Sequence, residues 1–249
     1  MADQLAIAKI LGRYAMTKIG PLQRDFCTGS NAAEARARAV LARLRHLNSA
    51  SGAYMIANGE ELFEGWPEGE LAAAHASERD MSRAAETMRC VLGLYAMHQQ
   101  SGAVGCAVVR EAGDTDKDFL RRMNEGSFGR ACRMINDNLD EASGVRRRLM
   151  SVEAAADLGG IMTNVRGLVR LMKSAKPRAS SSREVDAGEC GSPSRPQVIR
   201  LDYRQLTQDV YLLQTAGSLR ASVLERWSKD YFSYIRPSRD DKGEGSKES

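Results

Sequence analysis

From Leu158 to Met172 the apolar residues Leu158, Ile161, Met162, Val165, Leu168, Val169 and Met172 recur at intervals of one, three and four positions. That spacing places them along one side of an α-helix and scatters them over both faces of a strand. A stripe this long must be buried against another surface, so the segment commits the chain to helix-on-helix packing. The same period runs through Ala37, Val40, Leu41, Leu44 and Leu47, in a helix from Asn31 to His46 that opens with Asn31 as cap and Glu34 three residues on. It returns in residues 79–100 through Met81, Ala84, Ala85, Met88, Val91, Leu92 and Tyr95, with Gly102 as the stop. Ser151–Ser174 reads as one helix, although Gly159-Gly160 inside it costs about 1 kcal/mol per glycine relative to alanine and marks a kink or a close backbone approach. Residues 202–216 and 218–235 form two further helices separated at Gly217. Only six prolines interrupt 249 residues, which suits long helices. The expected fold is all-α, two packed helical bundles with no substantial sheet.

Polar stretches divide the chain. Residues 58–70, with three glycines and Pro67, read as a loop. Residues 174–198 are rich in Ser, Pro, Gly and charge and read as a disordered insertion, and residues 237–249 as a disordered tail. An N-terminal lobe is expected over 1–112 and a C-terminal lobe over 113–236.

Net charge is +4 and the pI is near 8.8, a mild bias towards a polyanionic partner. Its distribution says more: residues 117–178 hold 13 Lys+Arg against 7 Asp+Glu, whereas residues 57–86 are acidic. The five cysteines (Cys27, Cys90, Cys106, Cys132, Cys190) have no C-x-x-C spacing, and the three histidines (His46, His75, His98) are scattered. Neither a disulfide framework nor a metal site follows, and no cofactor is implied. Reduced thiols, no stretch of eighteen apolar residues and no signal-peptide pattern point to the cytoplasm.

Arg166, Arg170 and Lys173 lie at i, i+4 and i+7, turned from the Leu/Val stripe. One helix then packs inward and presents cations outward, either to a phosphate backbone or simply to water. Arg130 follows Phe128-Gly129, where the glycine admits another backbone; Arg133 is one turn on, and Arg121-Arg122 precede it. The alternative for Arg130 is an ion pair with Asp137 or Asp140. Arg146, Arg147 and Arg148 point in different directions on a helix, so at most two face one groove and the third pairs with Glu141 or Glu153. Arg36, Arg38, Arg43 and Arg45 form an acid-free patch. His98 has no nucleophile beside it and reads as a structural helix-end histidine. Asp202, Asp209 and Asp230, recurring with Tyr203, Tyr211 and Tyr231, read as caps and polar–aromatic packing. Phe119 and Phe128 are either base-stacking or core residues.

Eight strings in order carry a family likeness: Ala39–Arg45, Phe63–Glu68 with its Gly-Trp-Pro, Leu94-Tyr-Ala-Met-His-Gln-Gln100, Ser127-Phe-Gly-Arg-Ala131, Arg146-Arg-Arg-Leu149, Val165–Met172, Arg200–Tyr211 and Trp227–Phe232. Together they resemble the small subunit of type I-E CRISPR Cascade complexes, the CasB family. The insertion at 174–198 and the polar tail depart from the family pattern. The resemblance implies a two-lobed all-α protein, present as two head-to-tail copies along a crRNA-guided complex with other Cascade subunits. It implies a basic groove that holds the displaced non-target single-stranded DNA and stabilises the R-loop, with no nuclease activity of its own. It points to Arg130 as the foremost DNA contact, favours phosphate contact for the 166–173 face, and suits Arg36, Arg38, Arg43 and Arg45 to a neighbouring subunit or RNA.

Such a protein neutralises backbone and leaves base reading to the guide. The rival reading is a helical adaptor whose arginines meet acidic protein surfaces. An enzyme needs titratable groups gathered in one pocket, and no spacing here nominates such a set.

Overall fold

The computed structural model describes residues 2–48, 56–100, 102, 104–136, 142–175 and 198–233. Among them are eleven α-helices and no strand: α1 (Gln4–Thr28), α2 (Asn31–Arg45), α3 (Gly59–Phe63), α4 (Glu68–Ala73), α5 (Glu78–Gln99), α6 (Asp116–Glu125), α7 (Phe128–Arg133), α8 (Ser143–Ala154), α9 (Leu158–Ser174), α10 (Tyr203–Leu212) and α11 (Ser218–Ser233). The fold is all-α, as the periodicity predicts. Among the described residues the one β-type contact is an isolated parallel bridge between Ala107 and Leu201, in which Leu201 N–H donates to the Cys106 carbonyl and Val108 N–H to the Leu201 carbonyl.

Helix α5 is the centre. It starts with a reciprocal capping box between Ser77 and Asp80, and every residue from Thr87 to Gln99 is buried. Helices α1, α2, α9 and α10 pack around it. The α10 helix lies chiefly along α1, far from it in sequence, while α8 pairs with α9 and α7 with α11. One contiguous apolar cluster takes in Ile7 of α1, Leu94 of α5, Val165 of α9 and Trp227 of α11. Where α1 crosses the start of α10, Gly12 permits the approach: a Cβ there would stand 2.8 Å from the Arg204 carbonyl oxygen.

Several boundaries differ from the sequence reading. The cap of α2 is Ser30, whose side chain accepts from Ala33 N–H, and Asn31 is the first helical residue. The stretch 58–70 contains α3 and the first half of α4, because Leu62 and Leu71 are fully buried and draw short helices onto the core. The single helix expected over Ser151–Ser174 is two, broken at 155–157, with Asp157 capping α9 by accepting from Gly160 N–H. Gly159 and Gly160 therefore sit in a first turn, and no kinked helix is needed. Helix α1 holds Pro21 in its interior and belongs to a segment with no assigned helix in the sequence reading. Gly217 does break the last two helices, with φ of +78°. The expected insertion lies, apart from its ends, outside the described residues, as does the expected tail.

Candidate nucleic-acid interface

Helix α9 lays Ile161, Met162, Val165, Leu168, Val169 and Met172 into the core. Its polar side presents Arg166, Arg170 and Lys173. Arg45, at the end of α2, stands near enough to Lys173 for like-charge repulsion to help depress the lysine pKa, after desolvation as the main cause. Lys173 Nζ donates to Gln100 Oε1 at 3.3 Å, which ties the face to the end of α5. Arg166 is half-buried beside Arg89, Arg170 and Glu86; desolvation lowers its pKa and the two arginines lower it further. Its Nε is buried without a hydrogen-bond partner. Among the described residues, Arg45, Arg166, Arg170 and Lys173 make no ion pair, whereas Arg38, Arg43, Arg121, Arg122 and Arg130 do.

Arg130 and Arg122 tie separate segments together. Arg130 lies 3.5 Å from Asp230 of α11, donates to the Asn124 carbonyl at 3.2 Å, and keeps only 24% of its side chain exposed. The alternative partners Asp137 and Asp140 lie outside the described residues. Arg122 reaches Asp114, Glu111 and the Val109 carbonyl, fastening the loop before α6. Arg121 stands 3.6 Å from Asp118 and is otherwise exposed. Arg133 donates to the Asn136 carbonyl at 2.6 Å.

The three consecutive arginines of α8 do diverge. Arg148 folds over Gly167 of α9 and donates to the Gly144 carbonyl at 3.2 Å, while Arg146 and Arg147 are exposed. Of the two acids expected as partner for the third arginine, Glu141 lies outside the described residues. Arg146 lies over the Phe232 ring at 5.8 Å.

The α2 arginines are not an acid-free patch. Arg38 pairs with Glu34 of its own helix at 2.5 Å and covers the Phe26 ring, and Arg43 pairs with Glu61, brought over by α3. Arg36 is exposed, and Arg45 lies close enough to Lys173 of α9 for its charge to act there. A linear sequence conceals this split, because Glu61 arrives from a segment read as loop.

The remaining candidates are core or clamp groups. His98 is buried with Nδ1 3.1 Å from the Tyr203 hydroxyl, and burial holds its pKa down at about 4. Gln99 accepts from Cys106 N–H and donates to the Gly102 and Val104 carbonyls, and Gln23 bridges both backbone groups of Ala107. These amides explain the glutamine in the Leu94–Gln100 string: it fastens the chain leaving α5. Asp202 caps α10, Asp209 is buried between α10 and α11, and Asp230 holds Arg130. Phe128 is buried against Trp227 with ring centroids 4.2 Å apart, and Phe119 lies under Arg110. Cys27, Cys90, Cys106 and Cys132 are free thiols; burial pushes Cys90 up to about 12 and raises Cys106 and Cys132, which makes them poor nucleophiles. Among the described residues no three His, Cys, Asp or Glu side chains gather as a metal site, and no helix is long and apolar enough to cross a membrane.

Residues 37–181, more than half the chain, match the family model of CRISPR-associated protein Cse2. This chain belongs to the Cse2 family. The matched span includes both helices of the cationic face, α2 from Ala37 onward and α9, while the Arg200–Tyr211 and Trp227–Phe232 strings lie beyond it. A likeness in fold extends further: the crystal structure of CasB from Thermobifida fusca matches with a TM-score of 0.58 at 20% identity, covering 89% of this chain and 97% of that one. No curated protein matches.

Proposed function

We propose that this Cse2-family chain, a subunit of CRISPR Cascade, is non-catalytic and holds the displaced non-target DNA strand by its phosphates, stabilising the R-loop. The observation that carries this reading is the convergence of Arg166, Arg170, Lys173 and Arg45 from two helices, with no ion pair to any of them among the described residues. Such a cluster repels itself and is relieved by a polyanion. Arginine suits the task because its guanidinium binds phosphate in a bidentate fashion. Exposed Arg146 and Arg147 extend the cationic surface onto α8. The occupied arginines, Arg130 and Arg122 among them, hold the scaffold beneath it; the ion-paired Arg38 and Arg43 suit a subunit- or RNA-facing side.

Four cations give modest, sequence-independent affinity, so the assembled complex supplies the rest by avidity. In that complex the partners are crRNA, other Cascade subunits and a second head-to-tail copy, in the cytoplasm. Fluorescence polarisation of the purified chain with single-stranded DNA across a salt series tests the reading. A log–log slope of about −3 is expected from four phosphate contacts, lost in the R166E/R170E/K173E variant. A flat salt response in the wild-type chain overturns it.

One feature favours protein contact elsewhere on the molecule. A cleft of about 590 Å³ between α1, α6 and the start of α10 has Met16, Phe119, Leu120 and Met123 in its walls, with Arg24 and Arg204 among its lining. An apolar lining with charges of both signs, Asp116 and Asp202 beside the arginines, suits a neighbouring subunit better than DNA, so the adaptor reading applies to this side.

A further inference from the structure

Phosphate contacts leave the bases of a displaced strand unstacked in water, and the end of α11, beside α8, offers a surface for one of them. Phe232, near the end of α11, is 51% exposed, although it belongs to a helix whose Val223, Trp227 and Tyr231 are buried. It is held in place. The buried Tyr231 ring meets it edge-on at 5.0 Å, and the Arg146 guanidinium lies 5.8 Å from its centroid. Arg133 and Arg146 are both close enough to Tyr231 to lower its pKa, against the larger raising effect of burial. On α8, exposed Met150 follows Arg146 by one turn, and exposed Arg147 is adjacent in sequence. A solvated aromatic ring bordered by arginines has the composition of a single-strand stacking platform, where a π-face takes any base and guanidinium takes the flanking phosphate.

We infer that Phe232, with Arg146 beside it, stacks an unpaired base of single-stranded nucleic acid. The inference rests on the phosphate-binding reading above and adds to it a contact with the base. A ring fixed by Tyr231 and Arg146 loses little freedom on stacking, so the contact adds affinity without choosing a sequence. Phe119 and Phe128 do not compete for the role: one is half-buried in the wall of the cleft beside α1 and the other is buried on Trp227.

The test compares oligothymidylate with a length-matched abasic oligonucleotide, by fluorescence polarisation with the full chain across a salt series. Phe232→Ala is expected to weaken oligothymidylate binding roughly five- to a hundredfold and to leave the salt slope unchanged. Phe232→Leu, which keeps apolar bulk but not the ring, should weaken it similarly, and Phe232→Tyr should restore it. The abasic strand should bind wild type and Phe232→Ala alike. Equal binding of oligothymidylate by wild type, Phe232→Ala and Phe232→Leu, with the salt slope intact, overturns the platform and spares the phosphate reading. A flat salt response in the wild-type chain overturns both. Loss of the slope in both Phe232→Leu and Phe232→Ala also overturns the platform, since a stacking contact releases no counterions.

Discussion

The Trp227 indole Nε1–H of α11 donates to Oδ2 of Asp209 on α10 at 2.6 Å. Both residues are buried, at 3% and 1% exposure. Arg226 and the Gln205 amide donate to the other carboxylate oxygen, so one buried acid joins two helices through three donors. Burial raises the Asp209 pKa, and the Arg226 charge and these hydrogen bonds work against that rise.

Trp227→Ala empties the space between Phe128 and Asp209 and is expected to cost about 3–5 kcal/mol. Trp227→Phe keeps most of the volume, loses the donor, and is expected to cost about 1–3 kcal/mol. Urea unfolding followed by circular dichroism ranks the two. Equal stability of Trp227→Ala and wild type would contradict the burial.

Gly129 is where α7 meets α11: a Cβ there would collide with the Trp227 carbonyl oxygen and stand 2.7 Å from the Asp230 Cβ. Gly129→Ala should therefore destabilise by about 1–3 kcal/mol through forced separation of the helices. Gly69, inside α4 with nothing near its Cβ position, gives the opposite sign, and Gly69→Ala should stabilise by about 0.5–1 kcal/mol. Thermal melts of the pair separate local clash from a general effect of adding a methyl group.

Arg130 and the α9 cations differ in what they serve. Arg130→Gln removes the contact with Asp230 and is expected to lower stability by about 1 kcal/mol, leaving the salt slope for single-stranded DNA unchanged. The R166E/R170E/K173E variant should do the reverse, with near-native melting and no slope. A reduced slope for Arg130→Gln would return that residue to the interface.

Asp202 caps α10 while buried, and burial pushes its carboxyl up to about 6. The folded chain therefore holds this proton more tightly than the unfolded one, whose carboxyl has the ordinary value of 3.8. Its contribution to stability is present below about pH 4 and is lost as pH rises through about 6. Asp202→Asn retains a good cap and carries no charge, so it should be more stable than wild type at pH 7.5, by up to roughly 3 kcal/mol, with the advantage gone by pH 4. His98 acts in the other direction: its pKa of about 4 is depressed by burial, so its share of stability is full above 6.5 and falls as pH drops towards 4. In Asp202→Asn the acid loss from His98 should stand uncovered. Thermal melts of both proteins from pH 4 to 8 measure the two effects, and parallel curves would refute the Asp202 assignment.

Local period and propensity carried a large part of the reading. Helices α2, α5 and α9 follow from three-to-four spacing of apolar residues, because helical periodicity is a property of neighbours in sequence. The close approach at Gly129 was legible for a similar reason, since a residue without a Cβ has one obvious structural use. Helix α1 was not: Pro21 in its interior argues against a continuous helix on local grounds, and packing along α10, nearly two hundred residues away, overrides that cost.

By itself the sequence determined the helical class, the cationic side of α9, and a family likeness that the match over residues 37–181 supports. Tertiary structure decided which arginines are free. Arg43 is neutralised by Glu61, Arg130 is held by Asp230 and Arg148 folds onto Gly167, whereas Arg45 lies close enough to Lys173 for its charge to act there. The physical reason is range. Apolar periodicity repeats within a turn or two of one helix, but the field at a side chain sums over charges that only the packed fold brings within a few ångströms.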